Sequence, residues 1–235
     1  MAAKPNARKA DEAAPGVLPA VPDVADGKRR LLEAAVVAFA ERGYHGVSVR
    51  DLAGATGVQA ASFYAHFGSK EELLYELVHL GHREHHKHVR DAILGAGPEP
   101  ADQLRAAIRA NIWFHATYPL LTISANSELH ALNPEHLAVV SALRHDAGTL
   151  LTAVVERGNA AGIFNCPEPW LPMSAVAGMC LRVAWWFRPV AAPEHGSLDA
   201  YPKQAAAWLR PEDYTIDRVM DTYADYALKI FGAES

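Results

Sequence analysis

The chain has 235 residues, 50% of them hydrophobic, and a formal net charge of −5. No uncharged apolar run approaches the roughly 18 residues of a membrane span, the longest, Leu171 to Leu181, stopping at Arg182. Wholesale disorder and a membrane-spanning protein are thereby excluded, the N-terminal MAAKPNARKADEAAPG lacks the apolar core of a leader, and the expectation is a cytoplasmic chain of two domains.

Residues 1–26, rich in Ala and Pro without periodicity, read as a disordered arm. Lys4, Arg8, Lys9 and the cluster Lys28, Arg29 and Arg30 are basic groups that could reach phosphates or a minor groove, or remain a solvated tail. Asp26 is the expected cap of a first helix whose Leu32, Ala35, Val36 and Phe39 recur at helical spacing, and Gly43 ends it.

The stretch from Ser48 to Lys70 is the organising centre. Ser48 followed by Asp51 supplies a capping oxygen and an acid near the positive end of a helix dipole. Leu52, Ala53 and Val58 are the apolar set, and Gly57 turns the chain. A second short helix, about Gln59 to His66, carries Ala60, Ala61 and Ser62 at its start, where small side chains let a helix enter a groove. Ser69 and Glu72 form the expected capping box of a third helix, with Lys70 in its first turn, a position where a bound phosphate would relieve the conflict with the dipole. A generic helical hairpin is the alternative reading.

The residues G-Y-x-x-x-S-V-R-D-L-A-x-x-x-G-V-x-x-x-x-F-Y-x-H-F-x-S-K-E-E-L, from Gly43 to Leu73, resemble the DNA-binding head of the TetR-type one-component regulators, and the likeness covers about residues 27 to 75. The resemblance implies that Ser48, Arg50, Ala60, Ala61, Ser62, Tyr64, His66 and Lys70 fall where that family touches operator DNA. Ser48, Tyr64 and Lys70 would hold phosphates, with Arg50 and the start of the second helix at base edges. Gln59 and Ala61 depart from the residues the family often carries, and the Gln59 amide suits pairing with adenine.

The helix opened by Ser69 runs through Leu73, Leu74, Leu77 and Val78 to about Leu94 as a connector between domains. It carries His79, His82, His85, His86 and His88; His82 and His86 have a metal-chelating spacing, but no specific third ligand accompanies them, so a solvated histidine face is preferred and no metal site is assigned. Further helices follow: one with Leu104, Ala107, Ile108, Ile112 and Trp113, stopped by Pro119; a shorter one from Leu120 to Leu132; and a long one opened by Asn133 and Pro134, holding Leu137, Val140, Leu143, Ala147, Leu150, Leu151, Val154 and Val155 inward. Pro172 opens the next, which runs to Pro189; residues 188–210 read as a loop, with a helical turn or two possible at Lys203 to Leu209. The last spans about Pro211 to Phe231. Cys166 and Cys180 form neither a C-x-x-C pair nor a zinc spacing and read as buried fillers. No strand alternation and no internal repeat occur. The fold class is all-α: a three-helix helix-turn-helix head at 27–75 and a larger helical ligand-binding and dimerisation domain at 76–235.

Charge divides unevenly. Residues 1–70 hold nine Lys or Arg against seven Asp or Glu, leaving −7 on the remainder, so DNA affinity must come from a local face and from pairing two subunits. In the family resembled, the body dimerises through its last two long helices and encloses a small-molecule pocket. Here the interface expectation falls on Ala177, Gly178, Leu181, Val219 and Tyr223. Pocket candidates are polar or aromatic residues on apolar helices: Trp113, His115, Tyr118, Asn126, Glu128, His130, Arg182, Trp185 and Trp186. Glu128 is expected to pair with Arg144 or Arg182, and Trp113 and Trp185 also suit core filling.

Residues 128–164 and W-W-F-R-P at 185–189 resemble, more weakly, the body domains of TetR-type regulators of fatty-acid and steroid catabolism, which implies an acyl-CoA or another bulky apolar effector. The expected partners are a double-stranded, near-palindromic operator, that effector and a second copy of the chain, with no membrane and no cofactor. The expected behaviour is a repressor relieved when the effector moves the connector helix. Catalysis is disfavoured, since no G-x-S-x-G, H-E-x-x-H, phosphate-cradling loop or dinucleotide fingerprint appears. A ligand-free architectural dimer is the rival reading.

Overall fold

A computed structural model describes residues 17–22, 24–187 and 214–233. The helices are α1 (Asp26–Arg42), α2 (Val49–Ala55), α3 (Ala60–Tyr64), α4 (Lys70–Gly95), α5 (Pro100–Thr117), α6 (Pro119–Ser127), α7 (Pro134–Ala160), α8 (Trp170–Trp186) and α9 (Ile216–Ile230), with a 3-10 turn over Leu129–Ala131 between α6 and α7. No strand occurs among the described residues. The basic residues Lys4, Arg8 and Lys9, the loop from 188 and its Lys203–Leu209 turn, and the start of the last helix at Pro211 lie outside the described residues.

Local signals place the head's boundaries. Ser48 Oγ accepts from the Asp51 amide while the Asp51 carboxylate accepts from the Ser48 amide at 2.7 Å, a reciprocal cap that satisfies two orphan donors. Gly57 turns the chain at φ +71°, a conformation that L side chains rarely adopt. At α4 the expected box is split: Ser69 Oγ accepts from the Glu72 amide, but the Glu72 carboxylate reaches Gly68 N at 2.7 Å. Asp26 is also displaced from its expected role. Ala25 is the capping position and has no side-chain bond to offer, so Asp26 contributes as an acid in the first turn of α1.

The arm is not featureless to residue 26. Leu18 is 4% exposed, and Val17, Val21 and Val24 pack on the same core, because four apolar side chains close to α1 bury more favourably than they solvate. Arg29 holds this segment through the Leu18 and Pro19 carbonyls, and Lys28 bonds Glu76 at 2.8 Å, so two of the three basic residues of the 28–30 cluster are engaged within the fold.

Two apolar cores organise the chain. The first joins Phe39, Leu52, Phe63, Phe67 and Leu74 to Phe114 of α5, Leu121 of α6 and Val140 of α7, so it crosses the expected boundary at residue 75. The second gathers Val89, Ile108, Val155, Cys180, Met220 and Phe231. Both cysteines are free and buried, and burial pushes the Cys180 thiol up to about 12. Helix α9 lies along α5, with Arg105 on Asp225 and Arg109 on Asp217 and Asp221.

α7 is, among the described residues, the one helix long and apolar enough to cross a membrane. Arg144 and Asp146 interrupt its middle, and α4, α5 and α8 pack on it. Of its expected inward set, Val140, Val154 and Val155 are buried, whereas Leu137 is exposed.

Candidate nucleic-acid interface and ligand cavity

α3 buries a single side chain, Phe63, and Phe67 follows in the turn after it. Phe63 and Phe67 are both buried, with ring centroids 5.5 Å apart, and they pin the helix to the head core. The opposite side is bare: Gln59, the residue that caps α3, and Ala61, Ser62, Tyr64 and His66 are exposed, Tyr64 by 59%, with Ala60 half-buried beside them. Ser48 and Arg50 are exposed at the start of α2. Eight of the nine expected contact residues are therefore exposed or half-buried in the segment from the cap of α2 to the turn after α3, with the His66 ring close to Gly27 of α1.

Lys70 differs. Its ammonium donates to the carbonyls of Tyr44 at 2.9 Å and Val47 at 2.8 Å and lies 4.0 Å from the centre of the Tyr44 ring. Burial lowers its pKa. The loop between α1 and α2 has carbonyls without helical partners, and Lys70 satisfies two of them instead of pointing into solvent as its phosphate assignment requires.

The body contains a cavity of about 540 Å³ bounded by α4, α5, α6, α7 and α8. Its apolar wall includes Phe114, Leu121, Leu143, Leu151, Met173 and Leu181. Its polar groups include His82 and His85 of α4, Asn111 and His115 of α5, Thr122 and Asn126 of α6, Arg144, His145, Thr149 and Thr152 of α7, Glu168 ahead of α8 and Ser174 within it. His85 Nε2 lies 3.2 Å from Asn111 Oδ1, His115 Nδ1 lies 3.1 Å from Thr122 Oγ1, and Arg144 donates to Asn126 Oδ1 at 2.8 Å. Burial, followed by the proximity of Arg144 and other histidines, depresses His82 to about 3; burial depresses His85 to about 4 and holds His115 well below its ordinary value. The three imidazoles are neutral at pH 7.

Of the nine pocket residues expected, His115 and Asn126 line this cavity and the other seven do not. Trp113 lies two residues from His115, nearly opposite it around α5, and stacks on His88 with centroids 4.6 Å apart beside a shallower groove against α9. Tyr118 packs edge-on against Trp113 and beside Phe114 in the first core. Glu128 is buried and turned toward Gly43 at the end of α1; it pairs with neither Arg144 nor Arg182 among the described residues. His130 is solvent-facing and bonds its own turn through the Ser127 carbonyl. Arg182, expected to need an anion in the interior, is exposed on the outer face of α8 against the Trp185 ring, and Trp186 packs on Phe187 and Tyr223.

The residues missed were His82, His85, Asn111 and Arg144. The solvated face expected for the histidine helix holds only in part, because Val78, Gly81, His82, His85 and Val89 follow one helical stripe that turns inward. That stripe was the available signal.

For the interface, Gly178 is exposed, Ala177 is exposed but also lines the cavity, as Leu181 does, and Val219 is buried in the second core. Tyr223 is half-buried, stacked toward Tyr226. What the last two helices leave open is Leu171, Ala175, Gly178 and Arg182 on α8, and Tyr226 and Ile230 on α9.

Residues 31–77 match the family model described as bacterial regulatory proteins, tetR family, and residues 97–190 match that of the tetracyclin repressor-like C-terminal domain. Among curated proteins, the chain is 28% identical to the HTH-type transcriptional repressor KstR2 of Rhodococcus jostii (strain RHA1) over 169 residues, 69% of this chain and 81% of the relative. Among solved structures, it is similar to the ketosteroid transcriptional regulator KstR2 of Mycobacterium tuberculosis, with a TM-score of 0.74 and 22% identity over 93% of this chain and 100% of that one. The structure of AibR in complex with isovaleryl coenzyme A and operator DNA is similar at a TM-score of 0.69 and 22% identity, over 89% and 100% of the two chains. At those identities the two structures show the fold alone.

Proposed function

Since this chain belongs to the TetR family of bacterial regulatory proteins, and so to regulators rather than enzymes, we propose that it is a cytoplasmic transcriptional repressor that grips a near-palindromic operator as a homodimer and lets go when its cavity fills with a bulky apolar or acyl-CoA-like effector. Ser48, Arg50, Gln59, Ala60, Ala61, Ser62, Tyr64 and His66 form the DNA face in this reading, with Gln59 and Arg50 at base edges and Ser48 and Tyr64 at phosphates.

The observation that carries the reading is the double duty of α6. One side of this helix, Leu121, Thr122, Ala125 and Asn126, lines the cavity; from the other, Ser124 Oγ donates to the Val36 carbonyl of α1 at 3.1 Å. Gly81 supports the same link, since a Cβ there would stand 3.3 Å from Leu121, showing how closely α4 and α6 approach. An occupant that displaced α6 would move α1 and α4 together, and two heads on a rigid dimer reach successive major grooves at one separation only. Linkage then requires operator DNA to weaken effector binding by the factor by which effector weakens operator binding. A ligand-free architectural dimer has no use for a cavity with oriented polar groups.

The test is operator selection from random duplex with the purified protein, followed by titration of the selected operator with acyl-CoA thioesters. Two half-sites related by a dyad, and release by at least one thioester, are expected. Failure to select any sequence, or thioester binding that leaves operator affinity unchanged, overturns the proposal.

A further inference from the structure

The corner of the cavity where α4, α5, α6 and α7 meet collects basic groups and no acid. The His85 and His115 rings stack there with centroids 4.9 Å apart. His82 Nε2 is buried without a hydrogen-bond partner. Arg144, with burial lowering its pKa, has the neutral Asn126 amide for company and no carboxylate partner among the described residues. The charged and titratable groups acting on the three histidines are Arg144 from α7, His79, His86 and His88 from α4, and one another; α6 contributes the Ala125 backbone, Thr122 and Asn126, and α5 contributes Asn111. His145 of α7, which is exposed, and Glu168, ahead of α8, are also among the cavity's lining residues but act on none of the three.

We propose that this corner is an anion site whose occupant binds together with a proton: the effector carries a negatively charged group that sits among Arg144, His82 and His85, its apolar body lies along Phe114, Leu121, Leu143 and Met173, and the histidine cluster is protonated as it enters. This deepens the effector reading above and rests on it. Arg144 is solvent-accessible at the cavity mouth and has no carboxylate partner among the described residues, so its charge is open to an anion, while the buried His82 Nε2 lacks a hydrogen-bond partner that such an anion would supply. Burial is the main cause that keeps the imidazoles neutral, and a negative charge beside them offsets it by favouring the protonated form. His82 and His85 begin at about 3 and about 4, and an anion beside them raises them toward the ordinary value. The bound state then holds more protons than the free state, so affinity rises as pH falls. Above about pH 7 the affinity is flat, and below about 6.5 it tightens by up to tenfold per unit for each proton taken up.

The experiment is titration calorimetry of the full-length protein with 1-decanesulfonate below its micellar concentration, whose charge is constant over the range, against 1-decanol as its neutral counterpart. The sulfonate is expected to tighten severalfold from about pH 7 to about pH 6, with net proton uptake visible as a difference in heat between two buffers of unlike ionisation enthalpy, while decanol stays flat. Arg144→Gln should weaken the sulfonate about tenfold or more and leave decanol unchanged, and His85→Gln or His82→Gln should flatten the pH profile. The buffer comparison needs no variant, so it stands even if a substitution unfolds the chain. Equal, pH-independent affinities for the two probes, or no sulfonate binding, overturn the anion site. Decanol binding that still releases operator would, in that event, leave the proposed function standing, and loss of both would remove the two together.

Discussion

At the scale of single residues, Lys70 shows how a family pattern and a local environment can assign one side chain two jobs. Its position in the pattern implies a phosphate contact, whereas its geometry makes it the clamp of the α1–α2 loop, with two charge-assisted bonds to carbonyls and the Tyr44 ring beneath. Lys70→Met keeps the aliphatic stem and removes the ammonium. If the clamp is the role, the variant loses about 1–3 kcal/mol of stability in urea melts, because the Val47 carbonyl loses the Lys70 donor and the Tyr44 carbonyl is left with the Val47 amide alone. Operator binding at temperatures well below the melt should then fall only through the loosened loop. The opposite pattern, an unchanged melt with equal losses on operator and random duplex, would restore the phosphate role. Ser48 carries the converse lesson: its hydroxyl both accepts from and donates to Asp51, yet it stays exposed, so capping and DNA contact do not compete for its position.

Elements rather than residues decide what the cavity can transmit. Ser124 is buried, and its bond to the Val36 carbonyl crosses from the cavity helix to the head. Because Val36 sits inside α1, where its carbonyl already accepts an intrahelical bond, Ser124→Ala should cost no more than about 1 kcal/mol of stability. Its effect should appear in coupling: operator affinity without effector nearly unchanged, and the ratio of affinities with and without a saturating thioester reduced severalfold. A ratio that does not move would assign transmission to α4 alone, the route expected from sequence. The same scale explains what the chain reveals before folding. The head was legible because its signals are local: Ser48 with Asp51, Gly57 at the turn and Ser69 before α4 all act within a few residues. The cavity was less so. Trp113 and His115 differ by two positions and face opposite ways, and Arg182 lies one position from Leu181 yet outside the cavity that Leu181 lines. Residue type proposed Trp113, His115 and Arg182 for the pocket, while the helical face, set by packing partners far away in sequence, accepted only His115 of these three and took in Leu181, which was expected at the dimer interface.

For the whole molecule, the question is what brings two heads to one duplex. A chain of net charge −5 whose excess acid lies beyond residue 70 gains little from long-range attraction to DNA, so the operator must be held by two small faces acting together. The open strip on α8 and α9 is the candidate seam, and Gly178 is the place to test it. A Cβ there would meet nothing within 4 Å, and glycine inside a helix is about 1 kcal/mol worse than alanine, so Gly178→Arg should leave the isolated subunit at least as stable as before. Against a second copy, the same side chain would carry a charge into a surface of Leu171, Ala175 and their counterparts, where burial without a partner is severely unfavourable. The expected result is a monomer in sedimentation at micromolar concentration, with helical content retained and operator affinity reduced to that for random duplex. A dimer that survives Gly178→Arg with full operator binding would place the seam elsewhere, and α7, whose Leu137 and Val139 are exposed, would become the next surface to alter.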